Sequence, residues 1–139
     1  MKLMGIDYGR RRIGIAISDS DGYSIRGLTT IDRNKKPDAI TAILNLIKTE
    51  APDKLIFGLP LDIDNADTVM SKEIRTFAAR LSSVSTIPVA FIDESFSSID
   101  AGKLLMFRKK KVRRDKSTVD RLAACIILER YREEQGCAL

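Results

Sequence analysis

The 139-residue sequence contains no histidine and no tryptophan. Without histidine there is no Ser-His-Asp or Cys-His hydrolysis, no His-ligated zinc and no haem on a proximal His. Acid–base or metal chemistry must fall to the 19 Asp and Glu, the 24 Lys and Arg, or the three Tyr. Cysteine is scarce as well: Cys125 and Cys137 form no CxxC pair, and two thiols cannot complete a zinc or iron–sulfur site. Cys125 lies in an apolar helical pattern and Cys137 near the end of the sequence, so a core thiol and a tail thiol in a reducing compartment are expected. No stretch approaches the 18 apolar residues of a membrane span, and the opening MKLMGIDYG meets an acid at its seventh residue, unlike a signal peptide. A soluble, cytoplasmic protein without membrane association is expected.

What is present suits a globular domain. Hydrophobic residues make up 44% and charged residues 31%. The length fits one domain over 1–139, with a short flexible tail from about residue 134. No internal repeat or low-complexity linker breaks it. The net charge of +5 favours phosphate-bearing partners, nucleic acid first.

The periodicity changes along the chain. Leu3 to Asp7 reads as a strand, and Ile13, Ile15 and Ile17 alternate as a second. Asp21-Gly22 is a hairpin signal, after which Tyr23, Ile25, Thr29 and Ile31 keep a period of two. Ile40, Ile43, Leu44 and Ile47 then take helical spacing, closed by Pro52. Leu55 to Phe57 and Val89 to Ile92 are short, wholly apolar strands, and residues 70–81 between them are helical. Residues 99–107 and 119–131 complete the pattern as helices, the first with Ser97 and Asp100 spaced as an N-cap pair. The order βββαβαβαα predicts an α/β fold: a mixed five-stranded sheet in three layers, with helices on both faces.

Three carboxylates stand out. Asp7 and Glu94 follow strands, and functional groups gather at the carboxyl ends of parallel strands. If the first and last strands are neighbours, both acids emerge at one edge. The plainer reading of a strand-end acid is a solvated loop start. Asp120 shares a helical stripe with Ala123, Ala124, Ile127 and Tyr131, so it points toward the core, where a carboxylate needs a cation or hydrogen bonds. A cap begun by Ser117 is its alternative role. Three acids without histidine suit a hard divalent cation such as Mg²⁺. Two such ions can activate a water and stabilise the leaving oxygen in phosphodiester cleavage.

GIDYGRRRIGIAISD, LIFGLP, the strand-end DES with FSSIDAGKLL, and VDRLAACIILERY, in that order, resemble the YqgF/RuvX family. These are small bacterial proteins with a ribonuclease H-like fold, described as Holliday junction resolvases and as nucleases of pre-16S rRNA 5′ processing. The resemblance covers nearly the whole chain. It implies a nuclease using Mg²⁺ or Mn²⁺, with metal-binding catalytic acids that match Asp7, Glu94 and Asp120. It also implies rRNA precursor or branched DNA as substrate. The chain departs from the family at Ser95, where Arg is common, and in LDIDNADT, which lacks the glycine usual after GLP.

Two basic segments are candidate phosphate contacts. Arg10, Arg11 and Arg12 sit in a glycine-bearing turn beside Asp7, and arginine suits phosphate. Lys109, Lys110, Lys111, Arg113 and Arg114 lie in RKKKVRRDK, between the helix after the DE motif and the helix bearing Asp120. No aromatic is interleaved there, which favours backbone contact over base stacking. Each segment has a plainer reading as a solvated loop. Asp62, Asp64 and Asp67 lack the glycine and final glutamate of a calcium loop and are expected to be loop acids and the N-cap of the next helix. The competing functions are a metal-dependent endonuclease, a catalytically weak RNA-binding factor of ribosome assembly, and a nucleotide-binding domain of the actin/hexokinase type. The last needs two domains around its nucleotide, whereas this length supplies one. Monomer and homodimer both stay open, although a junction resolvase needs a symmetric pair of sites.

Overall fold

The computed structural model describes residues 1–35, 38–61, 64, 66–94 and 116–135. Strands β1 (Leu3–Asp7), β2 (Arg12–Ser18) and β3 (Ile25–Asp32) come first. Helix α1 (Ala39–Glu50), strand β4 (Lys54–Leu59), helix α2 (Val69–Ser82), strand β5 (Val89–Asp93) and helix α3 (Lys116–Glu134) follow. The sheet order is β3-β2-β1-β4-β5. The pairs β1–β2 and β2–β3 are antiparallel, while β1–β4 and β4–β5 are parallel. The mixed five-stranded sheet expected from the periodicity is therefore present. One expectation needs correcting. β1 and β5 are parallel but not adjacent, because β4 lies between them. Hydrophobic periodicity identifies buried parallel strands without ordering them.

The sheet has apolar cover on both faces. Ile6, Ile13, Ile15, Ile17, Leu55 and Phe57 face α1 and α2, whose Ile43, Ile74, Phe77 and Leu81 complete that core. Leu3, Ala16, Ile56 and Ile92 face α3 through Ala124, Ile127, Leu128 and Tyr131. Strand alternation sorts these residues: even positions of β1 meet α1 and α2, odd positions meet α3. A register irregularity at Ile15/Ala16 changes that parity along β3, so Ile31 joins the first face while Gly27 lies under Arg121 of α3.

The N-termini of α1 and α2 are built by short polar side chains. Asp38 accepts from the Thr41 backbone amide at 3.2 Å and caps α1. The helix ends at Ala51, which takes a left-handed φ of 50° before Pro52. The α2 N-cap is Thr68, not an aspartate, with a reciprocal capping box to Ser71. Asp67, one residue earlier, accepts from Ser71 Oγ at 2.9 Å and Arg75 Nε at 3.0 Å. The Asp21-Gly22 turn forms as expected, with Gly22 at φ 84°. Burial, the larger cause, and Glu129 push the half-buried Cys125 thiol up to about 11, so it is protonated at neutral pH. Among the described residues no helix is long and apolar enough to cross a membrane. The helix expected over residues 99–107, its Ser97/Asp100 cap, Asp62 and Cys137 lie outside the described residues.

Candidate active site

Asp7 is the last residue of β1 and pairs with Gly14 of β2. It occupies an odd position, so it belongs to the α3 face. On that face two glycines make room for other carboxylates. A Cβ on Gly14 would overlap the Asp120 carbonyl oxygen and lie 3.1 Å from the Asp120 Cβ, so the first turns of α3 rest on bare backbone there. A Cβ on Gly58 would overlap the Glu94 carboxylate. Gly58 follows Phe57, which is in register with Ile6, so it stands on the β4 side of Asp7. The Glu94 amide donates to the Leu59 carbonyl at 2.9 Å, extending the β4–β5 ladder by one residue.

This arrangement solves the problem that β4 creates. Asp7 is central, Asp120 approaches over Gly14 on one side, and Glu94 leans over Gly58 on the other. All three acids share the α3 face at the carboxyl edge of the parallel strands. Alternation also separates the two acids of the Asp93-Glu94 pair. Glu94 continues the face of Ile92, whereas Asp93 is directed to the α2 side.

Asp120 is not a cap in this fold. Helix α3 already runs from Lys116, which places Ser117 inside it. The Asp120 carboxylate instead accepts from Arg12 Nε at 2.7 Å, with the side chains 18% and 27% exposed respectively. The inward acid thus has the neutralising partner that its position demands. Arg12 departs from its two neighbours in the basic turn: it holds Asp120 of α3.

The rest of that turn is tied to the opposite layer. Tyr8 donates its hydroxyl to Glu73 Oε2 at 2.8 Å, and Arg10 Nε pairs with Glu73 Oε1 at 3.1 Å. The Tyr8 hydroxyl and then the Arg10 guanidinium outweigh partial burial and hold the Glu73 carboxyl below its ordinary range. Arg33 donates to the Gly9 carbonyl at 3.2 Å and lies over the Tyr8 and Phe77 rings, 5.2 and 5.7 Å from their centroids. Arg11 projects outward, and its carbonyl accepts from the Arg33 amide at 2.8 Å. Sequence reasoning missed Glu73 and Arg33, because both reach the turn across a long chain separation. Lys109, Lys110, Lys111, Arg113 and Arg114 lie outside the described residues.

The Tyr8–Glu73 bond has a measurable consequence. A depressed carboxyl contributes stability that is full above its unfolded value, near 4.5, and is lost as pH falls through its folded value. Tyr8→Phe keeps the ring, tilted against Phe77 with centroids 4.9 Å apart, and removes the hydrogen bond. We expect a loss of about 1 kcal/mol at pH 7, shrinking toward pH 3. Urea midpoints at the two pH values measure it, and an equal loss at both would assign the effect to packing alone.

The fold likeness is broad. The Thermus thermophilus RuvC structure superposes with a TM-score of 0.60 at 14% identity, covering 98% of this chain and 97% of that one. The Fowlpox virus resolvase in complex with Holliday junction DNA gives 0.62 at 14% identity, covering 97% and 99%. At such identities the likeness establishes the fold, which is that of the RuvC-type resolvases. Family membership rests on sequence: the model for RuvX, described as a Holliday junction resolvase, matches residues 1–134. The chain belongs to the RuvX family. A Crocosphaera subtropica relative named "Putative pre-16S rRNA nuclease" is 37% identical over 136 residues, covering 98% of this chain and 95% of its own. A Bacteroides fragilis relative of the same name is 37% identical over 135 residues, covering 95% and 96%. RuvX membership makes the chain a nuclease, a hydrolase of phosphodiester bonds.

A RuvX nuclease of this fold implies a divalent cation, and the donor chemistry fits one. Three carboxylates from separate elements, with no nitrogen or sulfur donor, are the oxygen set that Mg²⁺ or Mn²⁺ takes. Among the described residues no group of three or more acidic or thiol side chains is drawn together tightly enough to hold a metal ion. Asp120 is engaged by Arg12 instead.

Proposed function

We propose that this RuvX chain is a metal-dependent endonuclease acting on structured RNA, and that its substrate is the 5′ extension of pre-16S rRNA. What supports the proposal is that Asp7, Glu94 and Asp120 are assigned to one sheet face, with Asp120 seated over Gly14 and Glu94 over Gly58. These three would hold the cation, Mg²⁺ or Mn²⁺. When bound, it supplies Lewis-acid chemistry, lowering the pKa of an attacking water and neutralising charge on the leaving oxygen. The protein's part is to fix those carboxylates and to hold the phosphate backbone beside them. Arg11, exposed next to Asp7, suits the second task. The names of relatives at 37% identity favour rRNA over DNA, and the compartment of that substrate is the cytoplasm.

The substrate assignment is tested by offering precursor 16S rRNA and a four-way DNA junction, each with Mg²⁺ or Mn²⁺, beside an Asp7→Asn control. We expect cleavage of the RNA that the control lacks. Cleavage of the junction alone, by a dimer with paired cuts, would transfer the activity to branched DNA. Binding without cleavage under every metal would leave an RNA-binding assembly factor.

The basic segment allows a separate test. Lys109, Lys110, Lys111, Arg113 and Arg114 are assigned to phosphate contact. If about three of them neutralise a phosphate, changing all five to Gln should flatten the slope of log affinity against log salt by about two units. Cleavage at saturating substrate should change far less than affinity. An unchanged salt slope would move the binding surface to the turn around Arg11.

A further inference from the structure

Arg12 opens β2, opposite Asp32 of β3. Its Nε lies 2.7 Å from Asp120 Oδ2, across 108 residues of sequence. The carboxylate it holds is seated over Gly14, the direct partner of Asp7. A guanidinium is therefore paired with Asp120 on the sheet face to which Asp7 also belongs, in a pair mostly shielded from water. A monovalent cation from the protein and a divalent cation from solution would compete there for the same carboxylate.

We infer that Arg12 is a resident counter-ion for Asp120, which a divalent cation must displace. This rests on the assignment of Asp120 as a metal ligand. Without the metal, Arg12 neutralises Asp120 and fixes it on the α3 face. When the metal takes Asp120, the guanidinium is released beside Arg11, at the rim where the phosphate backbone is expected. Phosphate is a natural second partner for a displaced guanidinium. Metal loading and strand binding are then coupled, and by linkage the coupling runs both ways. The structure thus gives Arg12 a positioning role different from that of the exposed Arg11.

Binding of Mn²⁺ alone tests this, followed through the spectrum of the free aqueous ion, so no turnover is needed. Arg12→Gln should tighten apparent Mn²⁺ affinity by about threefold to tenfold, the scale set by losing one competing ion pair. Arg12→Lys, which keeps the charge but not the Nε donor, should tighten it less, and it carries the test if the glutamine variant folds poorly. Arg11→Gln, one residue away, should leave affinity near the parent value. In an Asp120→Asn background, Arg12→Gln should have no further effect, because the competition has been removed.

Unchanged or weaker Mn²⁺ binding in both Arg12 variants, with binding lost in Asp120→Asn, would overturn the counter-ion role while leaving the metal site intact. Equal tightening by Arg11→Gln would reduce the effect to general charge and also overturn it. Parent-like Mn²⁺ binding in Asp120→Asn would remove Asp120 from the metal site, and the inference with it.

Discussion

Asp7→Asn should reduce cleavage by more than about a hundredfold while leaving nucleic-acid affinity largely intact. Losing an outer partner of a metal ligand already costs roughly ten- to a hundredfold, so losing a ligand costs more. Asp7 is the central acid, between Gly14 on β2 and Gly58 on β4. Asp7 is the one carboxylate of β1, and the preceding Ile6 is buried on the opposite face. Glu94→Gln should act similarly. The double variant should lose little more than either single one, since groups that act as a unit do not give additive losses. Single-turnover rates with saturating enzyme separate this loss from weakened binding. A double variant whose losses multiply would mean that the two acids act independently.

Gly14→Val should produce the largest loss of stability. Even a Cβ at this position overlaps the backbone carbonyl of Asp120, and backbone cannot rotate out of the way as a side chain can. Helix α3 would have to lift from the sheet along Ala124, Ile127 and Leu128. We expect a cost of roughly 3 kcal/mol, and a melting temperature lower by about 10 °C. Gly58→Ala offers the contrast. Its added Cβ meets the Glu94 side chain, which can swing aside. That variant should fold and melt close to the parent but cleave poorly. If instead Gly58→Ala is as unstable as Gly14→Val and retains activity, Gly58 serves packing and not the placement of Glu94.

The contrast between these glycines shows what was legible in the sequence. Alternating Ile13, Ile15 and Ile17 identified β2 because successive side chains of a strand point to opposite faces and the three isoleucines share one. The stripe through Ala123, Ala124 and Ile127 identified α3 and its inward-facing Asp120 in the same way. Gly14 and Gly58 carried no such signal. A glycine within a strand reads as a local weakness until the element lying on it is known. Strand order was equally hidden, since buried parallel strands share one apolar pattern wherever they sit. β4 therefore entered between β1 and β5 unannounced, and Glu94 leans over Gly58 of β4 and does not stand on a strand next to β1.

Charge was harder to apportion than hydrophobicity. Arg10, Arg11 and Arg12 are alike in sequence, yet the fold gives them three environments: a glutamate on α2, solvent, and Asp120. The assignments of Arg10 and Arg12 depend on partners far along the chain, which spacing cannot reveal. The Thr68 cap of α2 was missed for a local reason. Asp67 and Thr68 are both good capping residues, and the reciprocal bond to Ser71 decides between them.

Asp120 is the acid for which a purely structural role is already visible, through its bond to Arg12. It is therefore where the three-acid account is most exposed. The most direct measurement is the single-turnover cleavage rate of Asp120→Asn on precursor 16S rRNA at saturating Mg²⁺, with folding confirmed by circular dichroism. The account predicts a folded protein that binds the RNA and does not cut it. A folded Asp120→Asn protein cutting at the parent rate would contradict the account and leave Asp120 only as the anchor that ties α3 to β2.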